Sequence, residues 1–214
     1  DLAMRLLQTY ERLGRRDDAT QLAITIRANP LTDAGLRTAI GEMFLRFGDE
    51  EEARRAYLGL DSHIDKAITL GFAGFNSASS ANISPQSTIG AFSGMLTVSG
   101  QVDQGSSANK GMRLLEDLAG YSDDGKLTYA TSAQPALNMQ LKGIPTGTLS
   151  GTLVGTYSMV GELTGTVTLN LSFNGVLQAN AVDPKKVERK PGTTVITGTA
   201  TSGSGGVYQV NVTR

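Results

Sequence analysis

The chain of 214 residues contains no cysteine, no tryptophan and one histidine. The missing cysteine excludes disulfides, thiolate metal sites and thiol catalysis. With His63 as the only histidine, neither a histidine-rich metal site nor a Ser-His-Asp hydrolase is expected. The formal net charge of -1 argues against a protein that coats nucleic acid, which usually carries a basic excess. These absences favour a non-enzymatic protein that uses no metal, cofactor or nucleic acid.

Long apolar runs are also missing. No stretch of about 18 apolar residues occurs, so no transmembrane helix is predicted. Asp1 opens directly into a helical pattern, with no initiator methionine and no signal peptide. We therefore expect either a fragment or a mature product whose targeting segment has been removed.

The composition changes near residue 70. Charged side chains make up 22 of the first 70 residues and 17 of the remaining 144, whereas glycine rises from 5 to 21. A charge-rich segment followed by a Gly/Ser/Thr-rich one predicts an α+β chain of two domains. The expected boundaries are a helical domain at 1–70, a linker at 71–90 and a β domain at 91–214.

The helical segment repeats itself with a period of 34 residues. Each unit has an apolar residue, an aromatic four positions later, a glycine after four more and an alanine after a further five. Gly14 in the first copy and Gly48 in the second are each expected to end a helix, and Pro30 is expected to end the first unit. The residues that define the repeat are Leu6, Tyr10, Gly14 and Ala19 in the first copy, and Ile40, Gly41, Phe44, Gly48 and Ala53 in the second.

This register resembles the tetratricopeptide repeat family over about the first 60 residues. The first copy departs from the family pattern because Leu7 occupies the small-residue position that Gly41 fills in the second. Residues 62–70, with Ile64, Ala67 and Ile68 on one side, are expected to form a capping helix. Two copies are few for a stable array, so further repeats before Asp1 or packing on another surface are expected.

The resemblance implies protein binding in the groove of a helical solenoid. Peptide-clamping members of the family use basic residues there, so the candidates are Arg5, Arg12, Arg37 and Arg46. The alternative is that these arginines form a solvated face paired with acidic side chains.

The period changes to two in the C-terminal segment. In residues 162–174 the apolar side chains fall on odd positions, and residues 148–159 show the same alternation, so the two segments predict a hairpin. Seven or eight such strands predict an antiparallel β-sandwich or a small soluble β-barrel. Residues 107–119, with Met112, Leu115 and Leu118, predict one short helix between strands.

Four polar features in the chain remain open to more than one interpretation. The acidic cluster of Glu116, Asp117, Asp123 and Asp124 ends in the sequence AspAspGly, which is interpreted as a turn in preference to a calcium or catalytic site. The basic run at 185–191 predicts a solvated loop, and His63 is expected at a surface or between domains. The Ser/Thr stretch at 77–88 is a possible glycosylation segment.

Two functional classes fit these observations. The first is a protein-protein interaction or assembly protein of a bacterial envelope or extracellular assembly. The second is a self-assembling structural subunit of a surface or extracellular filament, in which sheet edges join neighbouring copies. A carbohydrate-binding or adhesive module is a further alternative, which needs exposed aromatic side chains. The Ser/Thr/Gly-rich, cysteine-free β domain predicts an exported, periplasmic, cell-surface or extracellular location over a cytoplasmic one.

Overall fold

The computed structural model describes residues 2–29 and 32–214, so Asp1 and the end of the first repeat unit expected at Pro30 lie outside the described residues. The described chain contains three helices followed by ten strands. The helices are α1 (Leu2–Arg12), α2 (Arg16–Ala28) and α3 (Ala34–Ser77). The strands are β1 (Asn82–Ile89), β2 (Ser93–Val102), β3 (Lys110–Ser122), β4 (Leu127–Ala130), β5 (Ala136–Lys142), β6 (Thr148–Gly161), β7 (Gly165–Ala179), β8 (Val187–Arg189), β9 (Val195–Ser202) and β10 (Val207–Thr213).

Two compact units divide the chain after Asp49. The boundary falls inside α3, so residues 34–49 of this helix belong to the first unit and residues 50–77 to the second. This differs from the boundary that composition predicts at residue 70. The reason is that residues 50–70 keep their charges at the exposed side of a helix whose other side chains, such as Tyr57 and Leu60, are buried in the second unit.

The first unit contains the predicted N-terminal hairpin. Gly14 separates α1 from α2 with a φ of +67°, a conformation that glycine adopts at little cost. Asp17 and Asp18 lie in the first turn of α2, where carboxylates interact favourably with the helix dipole. The buried core of this unit is small and consists of Leu7, Ala19, Ala23, Leu36, Ile40 and Met43.

The second predicted hairpin does not form. Gly48 was expected to end a helix, but α3 continues through it to Ser77. The residues that follow, 49–54, are mostly Glu, Ala and Arg, which favour helix and carry the chain past the glycine. The two copies also differ in burial, since Leu6 is 39% exposed and its equivalent Ile40 is 1% exposed. Ala53 is buried but belongs to the second unit.

The ten strands form one antiparallel sheet in the order β1-β2-β3-β4-β6-β7-β9-β10, with β5 between β3 and β6 and with β8 on β7. The predicted hairpin is present, because β6 and β7 pair from Thr148↔Val176 to Met159↔Gly165. The odd-numbered apolar side chains of β7 from Val167 to Leu177 are buried, as the alternation predicts. The coarse expectation of helices followed by an antiparallel sheet is therefore confirmed.

Residues 50–77 of α3 fill the core of the sheet unit. Their apolar side chains share one buried cluster with side chains from both ends of the strand order, including Ile83 of β1 and Val210 of β10. The predicted burial of one side of residues 62–70 is correct, but that side contacts the sheet in place of a repeat array. The helix contributes Ala56, Tyr57, Leu60, Ile64, Ala67, Ile68 and Phe72.

Two segments differ from their sequence prediction. The helix expected at 107–119 is absent, and β3 occupies most of the segment with alternating burial. Glu116 is buried between Leu114 and Leu118 on the inner face of β3. Because a charged residue stands at this inner position, the alternation of apolar and polar residues is not evident in the sequence. In the expected linker at 71–90, residues 71–77 complete α3 and residues 82–89 form β1. Strand β1 was missed because Ile83 is its only buried residue.

Candidate binding surface

The outer face of α1 exposes a row of leucines. Leu2 is 82% exposed, Leu6 is 39% exposed and Leu13 is 65% exposed. Positions 2, 6 and 13 fall on one side of a helix, and the bond from the Leu13 amide to the Thr9 carbonyl extends that side past Arg12. We call Leu2, Leu6 and Leu13 the leucine stripe. It is an unusual concentration of exposed aliphatic surface for a segment of this length.

Arg5 and Arg12 flank the leucine stripe. They are exposed and seven residues apart, so they lie on the same side of α1, next to the stripe. Neither guanidinium has an ion-pair partner within the part of the chain that the structure describes. The face therefore combines apolar area with two cations that are available to a partner.

Arg46 lies at a separate groove between α1 and α3. Its guanidinium pairs with the Glu11 carboxylate at 2.8 Å, with a second hydrogen bond at 3.2 Å. The groove has a volume of about 190 Å³ and is lined by apolar and polar side chains in equal number. It is lined by Met4, Leu7, Gln8, Glu11, Ala39, Glu42, Met43 and Arg46. Because side chains of both positive and negative charge line this groove, it attracts an acidic peptide less than the face with Arg5 and Arg12 does.

Arg37 lies at neither of these places. Its Nε donates to the Thr32 carbonyl at 3.1 Å, and it borders another hollow together with Arg27, Ile40 and Gly41. The four predicted arginines therefore do not line one groove. Arg5 and Arg12 share a face, while Arg37 and Arg46 border two different hollows.

The second unit contains a buried polar cluster that the sequence analysis did not predict. His63 Nε2 and Glu116 Oε2 lie 2.9 Å apart, and the Tyr157 hydroxyl donates to the same oxygen at 2.9 Å. All three side chains are fully buried. Burial, followed by the neighbouring Glu116, raises the pKa of Tyr157 well above its ordinary value. His63 is thus an interior residue of the second unit, whereas the sequence predicts a position at a surface or between domains.

Ionic contacts connect residues 50–77 of α3 to the sheet. Lys66 pairs with Asp123 at 2.6 Å and Arg189 pairs with Asp65 at 2.6 Å. The contact of Arg189 also corrects the expectation of a solvated loop at 185–191, because residues 187–189 form β8 and Val187 is buried. These pairs fasten the helix at the margins of its apolar contact with the strands.

The four acidic candidates at 116–124 have separate partners. Glu116 contacts His63, Asp117 accepts from Thr131, and Asp123 pairs with Lys66. The Asp124 carboxylate accepts the amides of residues 126 and 127, so the turn predicted there is present. Over residues 2–29 and 32–214, no three acidic, histidine or cysteine side chains group closely enough to bind a metal ion.

Exposed aromatic rings are scarce on the second unit. Tyr57, Tyr121, Tyr129 and Tyr157 are each fully buried, whereas Phe92 is 72% exposed. Sugar-binding surfaces usually present several aromatic rings together, so the tyrosines give the carbohydrate alternative no support. None of the described helices is both long enough and apolar enough to cross a membrane.

Comparison with known proteins adds no assignment. No protein-family model, no curated protein and no solved structure matches the chain. The resemblance to tetratricopeptide repeats therefore rests on the residues quoted above and stays a prediction.

The leucine stripe is the feature of this surface that sequence reasoning missed. Its signal was present, since Leu2, Leu6 and Leu13 follow helical spacing. The repeat register matches Leu6 to Ile40, yet Ile40 is buried, Leu6 is exposed and the neighbouring Leu7 is buried. Leu6 and Leu7 differ by about 100° around a helix, so a register that matches sequence positions does not by itself give the buried side.

Proposed function

We propose that the chain is a non-enzymatic protein-binding module whose first unit recruits a partner through the outer face of α1. The observation that carries this proposal is the leucine stripe flanked by Arg5 and Arg12. Exposed apolar patches bordered by polar residues are typical of protein interaction sites. The second unit, with its large apolar core, serves as the stable support of this module.

The chemistry of the face defines the partner. An amphipathic helix fits, because its own apolar residues at three- and four-residue spacing can cover the leucine stripe. Acidic side chains beside those residues would pair with Arg5 and Arg12, and arginine forms such pairs with good geometry. The partner expected is therefore an acidic amphipathic segment of another protein.

Several finer expectations remain part of this proposal. The tetratricopeptide assignment of the first unit is supported by the α1–α2 hairpin and by the buried Ala19. The sandwich or small-barrel form is supported by one core that includes residues from both β1 and β10. An exported location and glycosylation within 77–88 rest on composition alone.

Site-specific photocrosslinking tests the proposal. A photoreactive amino acid replaces Leu6 in the full chain, which is expressed in the cells that naturally make the protein. We expect discrete crosslinked products that mass spectrometry assigns to one or a few partners. The double variant Arg5→Glu, Arg12→Glu is expected to abolish them, since it reverses the charge of the face without altering the buried core.

The matched control places the same photoreactive residue at Gln21, which is exposed on α2 in the same unit. The proposal fails if position 6 gives no discrete product, or if positions 6 and 21 give the same products.

A further inference from the structure

The strand order of the sheet begins with β1 and ends with β10, while the three-residue β8 pairs with β7 alone. The edges at β1 and β10 differ in character. At one end, β1 contains Pro85, which lacks an amide hydrogen, and its pairing with β2 is interrupted between Ile83 and Gln86. Proline and bulges are the usual features that protect a sheet edge from pairing with another chain. At the other end, β10 has no proline, no charged residue and an uninterrupted register of seven pairs with β9.

The outward hydrogen-bonding groups of β10 can be identified from its pairing with β9. Arg214 and Thr194 exchange both of their backbone hydrogen bonds, and the Ser202 amide donates to the Gly206 carbonyl. Because bonded and non-bonded pairs alternate in an antiparallel ladder, the even-numbered residues of β10 face β9. The amides and carbonyls of Val207, Gln209, Asn211 and Thr213 therefore point away from the sheet, and no described backbone group bonds to them.

We propose that this β10 edge pairs with the β10 edge of a second copy of the chain to form a two-fold symmetric dimer. An antiparallel register that places Val210 opposite Val210 of the second copy aligns all four outward residues. Val207 then faces Thr213 of the second copy, and Gln209 faces Asn211. Two-fold symmetry repeats both of these pairs, so there are four pairs in all. Each pair exchanges two backbone hydrogen bonds, which gives about eight in total. Moving the register by two residues leaves fewer pairs.

The side chains of β10 suit the same register. On the inner face, Tyr208 lies opposite Val212 of the second copy, an aromatic and β-branched combination that stabilises antiparallel strands. Tyr208 and Val212 are only partly buried in one chain, although both contact the core and Tyr208 packs 5.5 Å from the Tyr57 ring. On the outer face, the side chains of Gln209 and Asn211 are neutral and exposed, so no like charges oppose the contact.

The two-fold register also sets the size of the assembly. Both copies use β10, and the edge strands that remain are the interrupted β1 and the three-residue β8. An isologous contact of this kind closes at two copies, whereas a β10-to-β1 contact would continue into a fibre. This inference is independent of the partner face on α1, because it uses residues of the second unit only.

Analytical ultracentrifugation of the full chain over a wide concentration range tests the dimer. We expect a reversible shift toward twice the 22.5 kDa mass of one chain. Gln209→Pro removes one outward amide and is expected to weaken the dimer at least about tenfold. Ile89→Pro, at an exposed position of β1, is the matched control and is expected to leave the dimer unchanged.

Amide hydrogen exchange of the unmodified chain provides a second measurement that does not depend on how well the variants fold. The amides of Gln209 and Asn211 should exchange rapidly in dilute solution and become protected as concentration rises. Those of Tyr208 and Val210 should be protected throughout. A monomer at every concentration, growth into polymers sensitive to Ile89→Pro, or concentration-independent exchange at Gln209 and Asn211 would overturn the proposal.

Discussion

His63, Glu116 and Tyr157 place a polar contact inside an otherwise apolar core. A buried carboxyl is costly unless its oxygens accept hydrogen bonds. Glu116 Oε2 contacts both other side chains, whereas the buried Oε1 has no hydrogen-bond partner among the described residues. Since His63 lies on α3 and the other two residues lie on β3 and β6, the cluster joins the helix to the middle of the sheet. Hydrogen bonds depend on direction and distance more strongly than apolar packing does. The cluster therefore restricts movement of the helix along its axis more than apolar packing alone would.

Replacement of His63 tests the contribution of the cluster. His63→Ala leaves Glu116 buried with one hydrogen-bond partner fewer and opens a cavity, so we expect a loss of about 3 kcal/mol in the free energy of unfolding. Urea unfolding followed by circular dichroism measures it. Glu162→Gln is the control, because the Glu162 pair with Arg55 is half exposed and contributes at most about 1 kcal/mol. Equal effects in the two variants would contradict this role.

Asp123 makes the stability of the second unit depend on pH. Burial alone would raise the pKa of Asp123, but hydrogen bonds from Lys66, Tyr121 and the Ala91 amide together hold it below its ordinary value of 3.8. The resulting stabilisation is complete above the unfolded-state pKa and is lost as the pH falls through the folded-state pKa. Asp123→Asn should therefore be less stable than the unmodified chain at neutral pH, and the difference should narrow on acidification. Unfolding curves of both proteins at neutral and acidic pH test this expectation. A difference in the free energy of unfolding that stays constant with pH would exclude this role of Asp123.

Inward residues were predictable only where the element was predicted correctly. The buried side chains of β7 follow directly from strict alternation, and the structure confirms them. Glu116 has the same parity as Leu114 and Leu118, yet a charged residue at an inward position conceals a strand when only the sequence is considered. The neighbouring Asp61 and Asp65 favour a position for His63 at a surface or between domains, although His63 shares a helical face with the buried Leu60.

Helix α3 shows how one element can combine two environments. In residues 34–49 a glycine such as Gly48 is open, because an added Cβ would meet nothing within 4 Å. In residues 50–77 the glycines allow close approach to the sheet. At Gly71 an added Cβ would lie 2.7 Å from the Met139 sulfur, and at Gly59 it would collide with the Tyr129 hydroxyl. That hydroxyl donates to the Ala56 carbonyl at 2.8 Å, so the ring cannot move away freely.

Alanine substitutions distinguish the two environments. Gly48→Ala should stabilise the first unit by up to about 1 kcal/mol, because alanine is the better helix former and no contact opposes it. Gly59→Ala should destabilise the second unit despite the same gain in helix propensity. Thermal unfolding of both variants measures the difference. Destabilisation by Gly48→Ala would instead support the helix end that the repeat pattern predicts at this position.

The sequence predicts some elements of this chain well and others poorly. Strands with one buried face, such as β6 and β7, carry a pattern that reflects their packing directly. Strand β1 does not, because an edge strand with one buried side chain has too little apolar alternation. The continuity of α3 through Gly48 has a local signal in the helix-favouring residues 49–54, but the 34-residue repeat pattern predicts a helix end there.

At the scale of the whole molecule, the two units have different roles in this account. The first has a small core and exposes the leucine stripe, which suits recruitment of a partner. The second has a large core and one unprotected sheet edge, which suits pairing with another copy. Composition separated a charged part from a Gly/Ser/Thr-rich part correctly, but it could not show that residues 50–70 belong to the core of the sheet.

The most direct test of this division is to compare two fragments, residues 50–214 and residues 71–214, by denaturant unfolding. We expect the fragment 50–214 to unfold cooperatively and to have a sheet-rich circular dichroism spectrum. We expect the fragment 71–214 to do neither, because it lacks buried side chains such as Tyr57, Leu60 and Ile64. If residues 71–214 fold as stably as residues 50–214, residues 50–70 of the helix are not part of the sheet domain and the division after Asp49 is wrong.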